Sequence, residues 1–155
     1  MPNALPVPLH RQQSEGDCLP VCAQMVLAYW ELPGDRQDLI TQLGADPDVG
    51  TPGSRVLRLQ SSTLSVAYQR ADERDLRHWI SQRVPVIMLV DTAQLPYWSR
   101  RCAHAVVLVG LEGDAAYVND PAFEAAPLAV ALADLLLASD NMGNLVAVIA
   151  PIASL

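Results

Sequence analysis

The chain has 155 residues, 51% of them hydrophobic and 17% charged, which predicts one folded domain over residues 1–155 and excludes a disordered chain. Ten basic residues, all Arg, stand against 17 acidic ones for a net charge of −7, so a nucleic-acid binder built on a positive footprint is excluded. The absence of Lys also removes a Walker-type phosphate loop and any Schiff-base chemistry.

The apolar runs at 85–90 and 105–110 fall far short of the ~20 residues that a membrane span needs. The opening Met-Pro-Asn-Ala-Leu-Pro has neither the basic start nor the long apolar stretch of a signal peptide, and a cytoplasmic protein is expected. Three prolines within residues 2–9 give an extended lead-in. Asp17 then reads as an Asx N-cap, and Pro20 falls in the first turn, where its missing N–H costs least. Val21, Met25, Ala28 and Tyr29 recur on one helical face, so a helix is predicted over 18–30 and stopped by Pro33-Gly34. A second amphipathic helix spans 36–43 and ends at Gly44.

Residues 46–54, with two prolines and two glycines, read as a surface loop. A short strand is predicted at 65–69 and a helix at 72–82, with Leu76, Trp79 and Ile80 on one face. Val-rich strands follow at 86–90, 105–111, 116–119 and 145–149, with Gly113-Asp114 turning the hairpin between the middle two. A helix over 128–138 intervenes. Helices first and strands mostly later is the pattern of an α+β fold, N-terminal helices packed on a mostly antiparallel sheet.

Four residues together suggest chemistry: Gln12, Cys18 at a helix start, His104 opening a strand and Asp120 closing the next. A thiol attacks as thiolate, which the free N–H groups and dipole of a helix N-terminus favour. An adjacent imidazole completes a thiolate–imidazolium pair, and a carboxylate holds the ring in its working tautomer. The Cys18 N–H and the Gln12 amide would then supply two donors to an oxyanion. His104 and Asp120 lie at equal distances from a turn near Glu112, which sets them side by side at the open end of the hairpin.

Gln12-Gln13-Ser14-Glu15-Gly16-Asp17-Cys18, with Gln six residues before Cys, resembles the nucleophile motif of papain-like cysteine peptidases. Together with the segment from His104 to Gly110, and with Asn119-Asp120-Pro121, it is similar to the bacteriocin-processing, double-glycine leader peptidase family. The resemblance implies a papain-like fold and thiol-dependent hydrolysis of a peptide or protein substrate without a cofactor. By motif position it implies Cys18 as nucleophile, His104 as base, Asp120 as its orienter and Gln12 as oxyanion donor. A transporter or secretion partner is a further implication, because the best-known members are fused to a transporter. Leu19 departs from the family, which usually has Gly after the nucleophile. Acyl transfer, deamidation and non-catalytic peptide binding use the same constellation and stay open.

Other residues have plainer readings. Cys22, one turn after Cys18, and Cys102, two residues before His104, are core residues by preference. A zinc site made with Cys18 and His104 would have a spacing that fits no common module. Three cysteines make no disulfide framework. Tyr97 and Trp98, just before the His104 strand, are candidate substrate-binding walls of the cleft. Trp30 and Trp79 read as core, His10 and His78 as surface, and Arg100-Arg101 as a solvated rim. Asp46–Asp48 lacks the remaining ligands of a calcium loop.

Overall fold

The computed structural model describes residues 3–154. Its centre is a six-stranded sheet in the order β1-β6-β2-β3-β4-β5, every neighbouring pair antiparallel. The strands are β1 (Leu64–Arg70), β2 (Val86–Asp91), β3 (Ala103–Glu112), β4 (Ala115–Asn119), β5 (Leu128–Ala131) and β6 (Leu145–Pro151). Four helices accompany them: α1 (Cys18–Tyr29), α2 (Arg36–Leu43), α3 (Glu73–Ser81) and α4 (Leu132–Asp140).

Both faces of the sheet are covered, so its central strands read as unbroken apolar runs rather than alternating ones. On β3, Ala105, Val107 and Val109 join one core with α1, α2 and the lead-in residues Leu5 and Val7. Val106 and Leu108 point into the other, with Leu76 of α3 and Leu135 of α4. Helix α1 carries eight buried residues, Cys22 among them, and packs directly on β3. It ends where Glu31 takes φ 57°, just ahead of Pro33. Helix α2 begins with a cap from Asp35 to the Asp38 N–H and ends at left-handed Gly44, φ 63°. Reciprocal Asp72 and Asp75 bonds close a capping box on α3.

The structure corrects several local expectations. Asp17 makes no side-chain cap; a 3-10 turn over Glu15–Asp17 runs straight into α1 instead. The expected loop at 46–54 holds through Pro52, and its last two residues open a 3-10 helix at Gly53–Leu59. The helix expected over 128–138 begins only at Leu132, because 128–131 pair with β4 as its outer neighbour. Tertiary pairing overrides local helical preference there.

The β3–β4 hairpin also departs from equal counting. Its register shifts between Leu108 and Gly110, leaving Val109 as the extra residue of a bulge. The lead-in segment uses that irregularity: the Leu5 N–H donates to the Val109 carbonyl at 2.7 Å. A Cβ on Gly110 would come within 2.7 Å of the Asn3 carbonyl oxygen, so Gly is required at that crossing. The tight turn sets Glu112 opposite Ala115, and after the bulge Val107 faces Asn119, so Asp120 lies just past the end of β4, diagonal to His104 rather than opposite it.

Candidate active site

The segment before α1 is fixed at several points. The Gln12 N–H donates to the Pro121 carbonyl at 2.9 Å, and the Arg11 guanidinium to the Ala122 carbonyl at 3.3 Å. The Gly16 N–H donates to the Pro47 carbonyl at 2.9 Å, and any Cβ on Gly16 would strike the Asp46 carbonyl. Cys18 follows at once as the first residue of α1, so its half-buried thiol lies where backbone N–H groups have no intrahelical partner.

His104, the second residue of β3, is buried, and its Nε2 lies 2.7 Å from Asp120 Oδ1. That contact leaves Nδ1 as the ring nitrogen available to Cys18, which lines the same groove as His104. Burial disfavours the charged imidazole. The hydrogen bond to Asp120, the nearness of Cys18 and the negative charge of Asp120 outweigh it and raise the His104 pKa from 6.5 to about 9. Burial pushes the Asp120 carboxyl upward, but the His104 bond, the His104 charge and the Ala122 N–H hold it below the usual carboxylate range. Behind Cys18, burial raises the Cys22 thiol, and that side chain stays a neutral part of the core.

Asp120 has no exposed surface, yet each of its oxygens accepts two bonds. Oδ1 takes His104 and the Ala122 N–H at 2.9 Å. Oδ2 takes the Tyr97 hydroxyl and the Trp98 indole N–H, both at 2.9 Å. Tyr97 and Trp98, expected to wall the substrate cleft, thus turn their polar tips onto the carboxylate. Neither lines the groove beside Cys18. The reason is the one that governs buried aromatics generally: a phenol or indole donor taken out of water needs an acceptor.

Two residues that sequence reasoning did not single out complete this arrangement. Phe123 packs edge-on against Tyr97 and Trp98, with centroids 5.1 and 5.3 Å away. Its only signal was being the sole Phe, three residues past Asp120. The Thr92 hydroxyl accepts from the Cys102 N–H at 2.7 Å and donates to the Arg100 carbonyl at 2.7 Å, closing the loop that bears Tyr97 and Trp98. Nothing in the sequence marked it.

Gln12 lies beside the Asp120 turn. Its amide N–H donates to the Ser14 carbonyl at 3.2 Å, and its side-chain oxygen is buried without a partner. Arg100 pairs with Glu15 at 2.6 Å and Arg101 with Asp91 at 3.6 Å, so both basic residues of the rim have carboxylate partners. Among the described residues, no three His, Cys, Asp or Glu side chains converge as metal ligands. No described helix is long and apolar enough to cross a membrane.

Cys18 and His104 open on a groove of about 320 Å³. The residues from Val49 to Gly53, Tyr68 of β1, Leu89 of β2, Met142 and Leu145 of β6 form its other walls. The hydroxyl of Thr51, also in that wall, is buried and unpaired.

The model of the Peptidase_C39 like family matches residues 4–130. No curated protein matches the sequence. Among solved structures, a protein of Bacillus anthracis described as C39-like superposes with a TM-score of 0.77 at 14% identity, covering 94% of both chains. The peptidase domain of Streptococcus ComA, a bifunctional ABC transporter involved in quorum sensing, gives 0.75 at 16%, covering 94% of this chain and 98% of its own. A double glycine motif protease from an AMS/PCAT transporter, solved in complex with the leader peptide, gives 0.70 at 20%, covering 96% and 94%. At these identities the likeness is one of fold.

Proposed function

This chain belongs to the Peptidase_C39 like family and has that family's papain-like α+β fold, and from that premise we propose that it hydrolyses a peptide bond through a Cys18–His104–Asp120 triad. The observation that carries the reading is the convergence of three elements. The first residue of α1 and the second residue of β3 line one groove, and the latter is hydrogen-bonded to the residue after β4.

The chemistry follows from the charges. His104 holds its proton to about pH 9 with Cys18 beside it, which favours a thiolate–imidazolium pair at neutral pH. The Cys18 sulfur attacks the scissile carbonyl carbon, and the carbonyl oxygen takes the negative charge. The Cys18 N–H and the second amide hydrogen of Gln12, the one not given to Ser14, are the donors assigned to that oxyanion. His104 passes its proton to the leaving amine, and an acyl thioester on Cys18 remains. Neutral His104 then takes a proton from water as it attacks the thioester, releasing the acid and restoring the pair. Asp120 keeps Nε2 protonated and the ring in plane throughout. No step calls for a cofactor.

The substrate in this reading is an extended stretch of a peptide or protein lying in the groove between the Val49–Gly53 segment and β2, β3 and β6. Two structural neighbours come from transporters, which supports a transporter or secretion partner as the source of that peptide. The test is incubation with a peptide mixture and mass spectrometry of the products. Discrete cuts that vanish in Cys18→Ala, with an unchanged melting temperature, are expected. Equal cleavage by Cys18→Ala, or a folded-state Cys18 inert to iodoacetamide, would overturn the assignment.

A further inference from the structure

We propose that Tyr97 and Trp98 are positioning residues for the reaction, a two-donor clamp on the free oxygen of Asp120 that sets both the orientation and the basicity of His104. This inference rests on the triad reading above and extends it to a part of the fold that does not touch substrate.

A buried carboxylate with one oxygen on a histidine has two freedoms. It can rotate about its Cβ–Cγ bond, and it can concentrate its negative charge on the bonded oxygen. The phenol and indole donors, each 2.9 Å from Oδ2, remove both. They fix the carboxylate plane and draw charge away from Oδ1, so the proton on His104 stays transferable. The Tyr97 phenol is suited to the task, since burial and the neighbouring carboxylate push its pKa up and keep it a donor.

The clamp is built from the chain's own loop rather than assembled by chance contact. The loop between β2 and β3 is closed by Thr92, whose hydroxyl joins Arg100 and Cys102 across it. Buried Leu95 anchors it within, and its carbonyl accepts the Trp98 N–H at 3.0 Å. Trp98 also stands edge-on to the His104 ring at 4.9 Å, which limits the ring's tilt. Phe123 packs on both aromatics from the Asp120 turn. The ionisable groups that bear on this centre are Cys18 and Cys22 of α1, Tyr97 of the loop, and His104 and Asp120 themselves.

Tyr97→Phe and Trp98→Phe remove one donor each and keep the rings. Each is expected to lower kcat about tenfold with KM within twofold, and to move the alkaline limb of the kcat/KM profile upward by about half a pH unit, because charge returns to Oδ1 and His104 holds its proton more tightly. The double variant should show a larger shift. Thermal unfolding curves, measured alongside, report the folded fraction, so a loss of folded protein is corrected for. A change in KM alone would overturn the clamp and restore these residues as cleft walls. An unmoved pH profile after that correction would overturn it too. Wild-type chain that cuts no more than Cys18→Ala would bring down the triad reading itself, a result separable from either.

Discussion

His104 Nε2 and Asp120 Oδ1 meet at 2.7 Å with the histidine almost wholly and the aspartate wholly removed from solvent. A charged pair at that depth survives only because the carboxylate's remaining hydrogen-bonding capacity is met, here by Ala122, Tyr97 and Trp98. The pair also makes both activity and stability depend on pH in a definite direction.

His104 has a raised pKa, so its contribution to stability is fully present below 6.5 and is lost as pH rises through about 9. Asp120 has a lowered one, so its contribution is present above its ordinary 3.8 and is lost as pH falls through its depressed value. Melting temperature measured against pH should therefore decline on the alkaline side near 9, together with kcat/KM. A flat melting temperature between 7 and 10 would contradict the charged pair.

Asp120→Asn keeps the shape of the side chain and removes its charge. Without the anion the His104 pKa falls, and the alkaline limb of the rate profile should move down instead of up. Activity should drop by roughly 10²–10⁴, the range ordinary for disabled proton transfer. Rate profiles of the variant and the parent, recorded on the same peptide, check both.

Gly16 determines how the chain enters α1. Gly16→Ala would push a methyl into the Asp46 carbonyl, where the contact atom is backbone and cannot swing away. A loss of about 1–3 kcal/mol in denaturant unfolding is expected for such overpacking. Because Cys18 is two residues on, turnover should fall further than the folded fraction does.

Val49 is 86% exposed, yet the Asp46 carboxylate holds its position by accepting the Asp48 and Val49 N–H groups at 2.8 and 3.0 Å. On the proposed reading, an aliphatic side chain held at the groove edge meets an apolar residue of the bound peptide. Burying a valine is worth about 1.5–3 kcal/mol, so Val49→Asp should raise KM at least about tenfold on peptides apolar near the cut and leave kcat alone. Steady-state kinetics on paired apolar and glycine-substituted peptides would show the difference.

Cys18, His104 and Asp120 could be singled out from the sequence because residue type and chain order suggest the chemistry; the structure puts His104 in contact with Asp120 and sets Cys18 and His104 on one groove. The α+β architecture was legible as well, since the apolar runs at β2, β3 and β6 lie between clear breakers. Strand β5 was not. Residues 128–137 run apolar and small from strand into helix with only Asp134 interrupting, and pairing to β4 decides where one ends. The hairpin register was hidden for a related reason: a bulge at Val109 follows from the lead-in crossing β3, a contact between segments more than a hundred residues apart. Likewise the aromatic pair could be read as amphipathic, but whether its donors face a peptide or a carboxylate is settled only by how the loop folds back.

The sheet order has a consequence for the protein's birth. Strand β6 lies between β1 and β2, so the two early strands have no ladder to join them until Leu145–Pro151 has left the ribosome. Tyr68 and Leu145, which help to shape the cleft, come from β1 and β6. A nascent chain thus carries its thiol, imidazole and carboxylate before the cleft around them is complete.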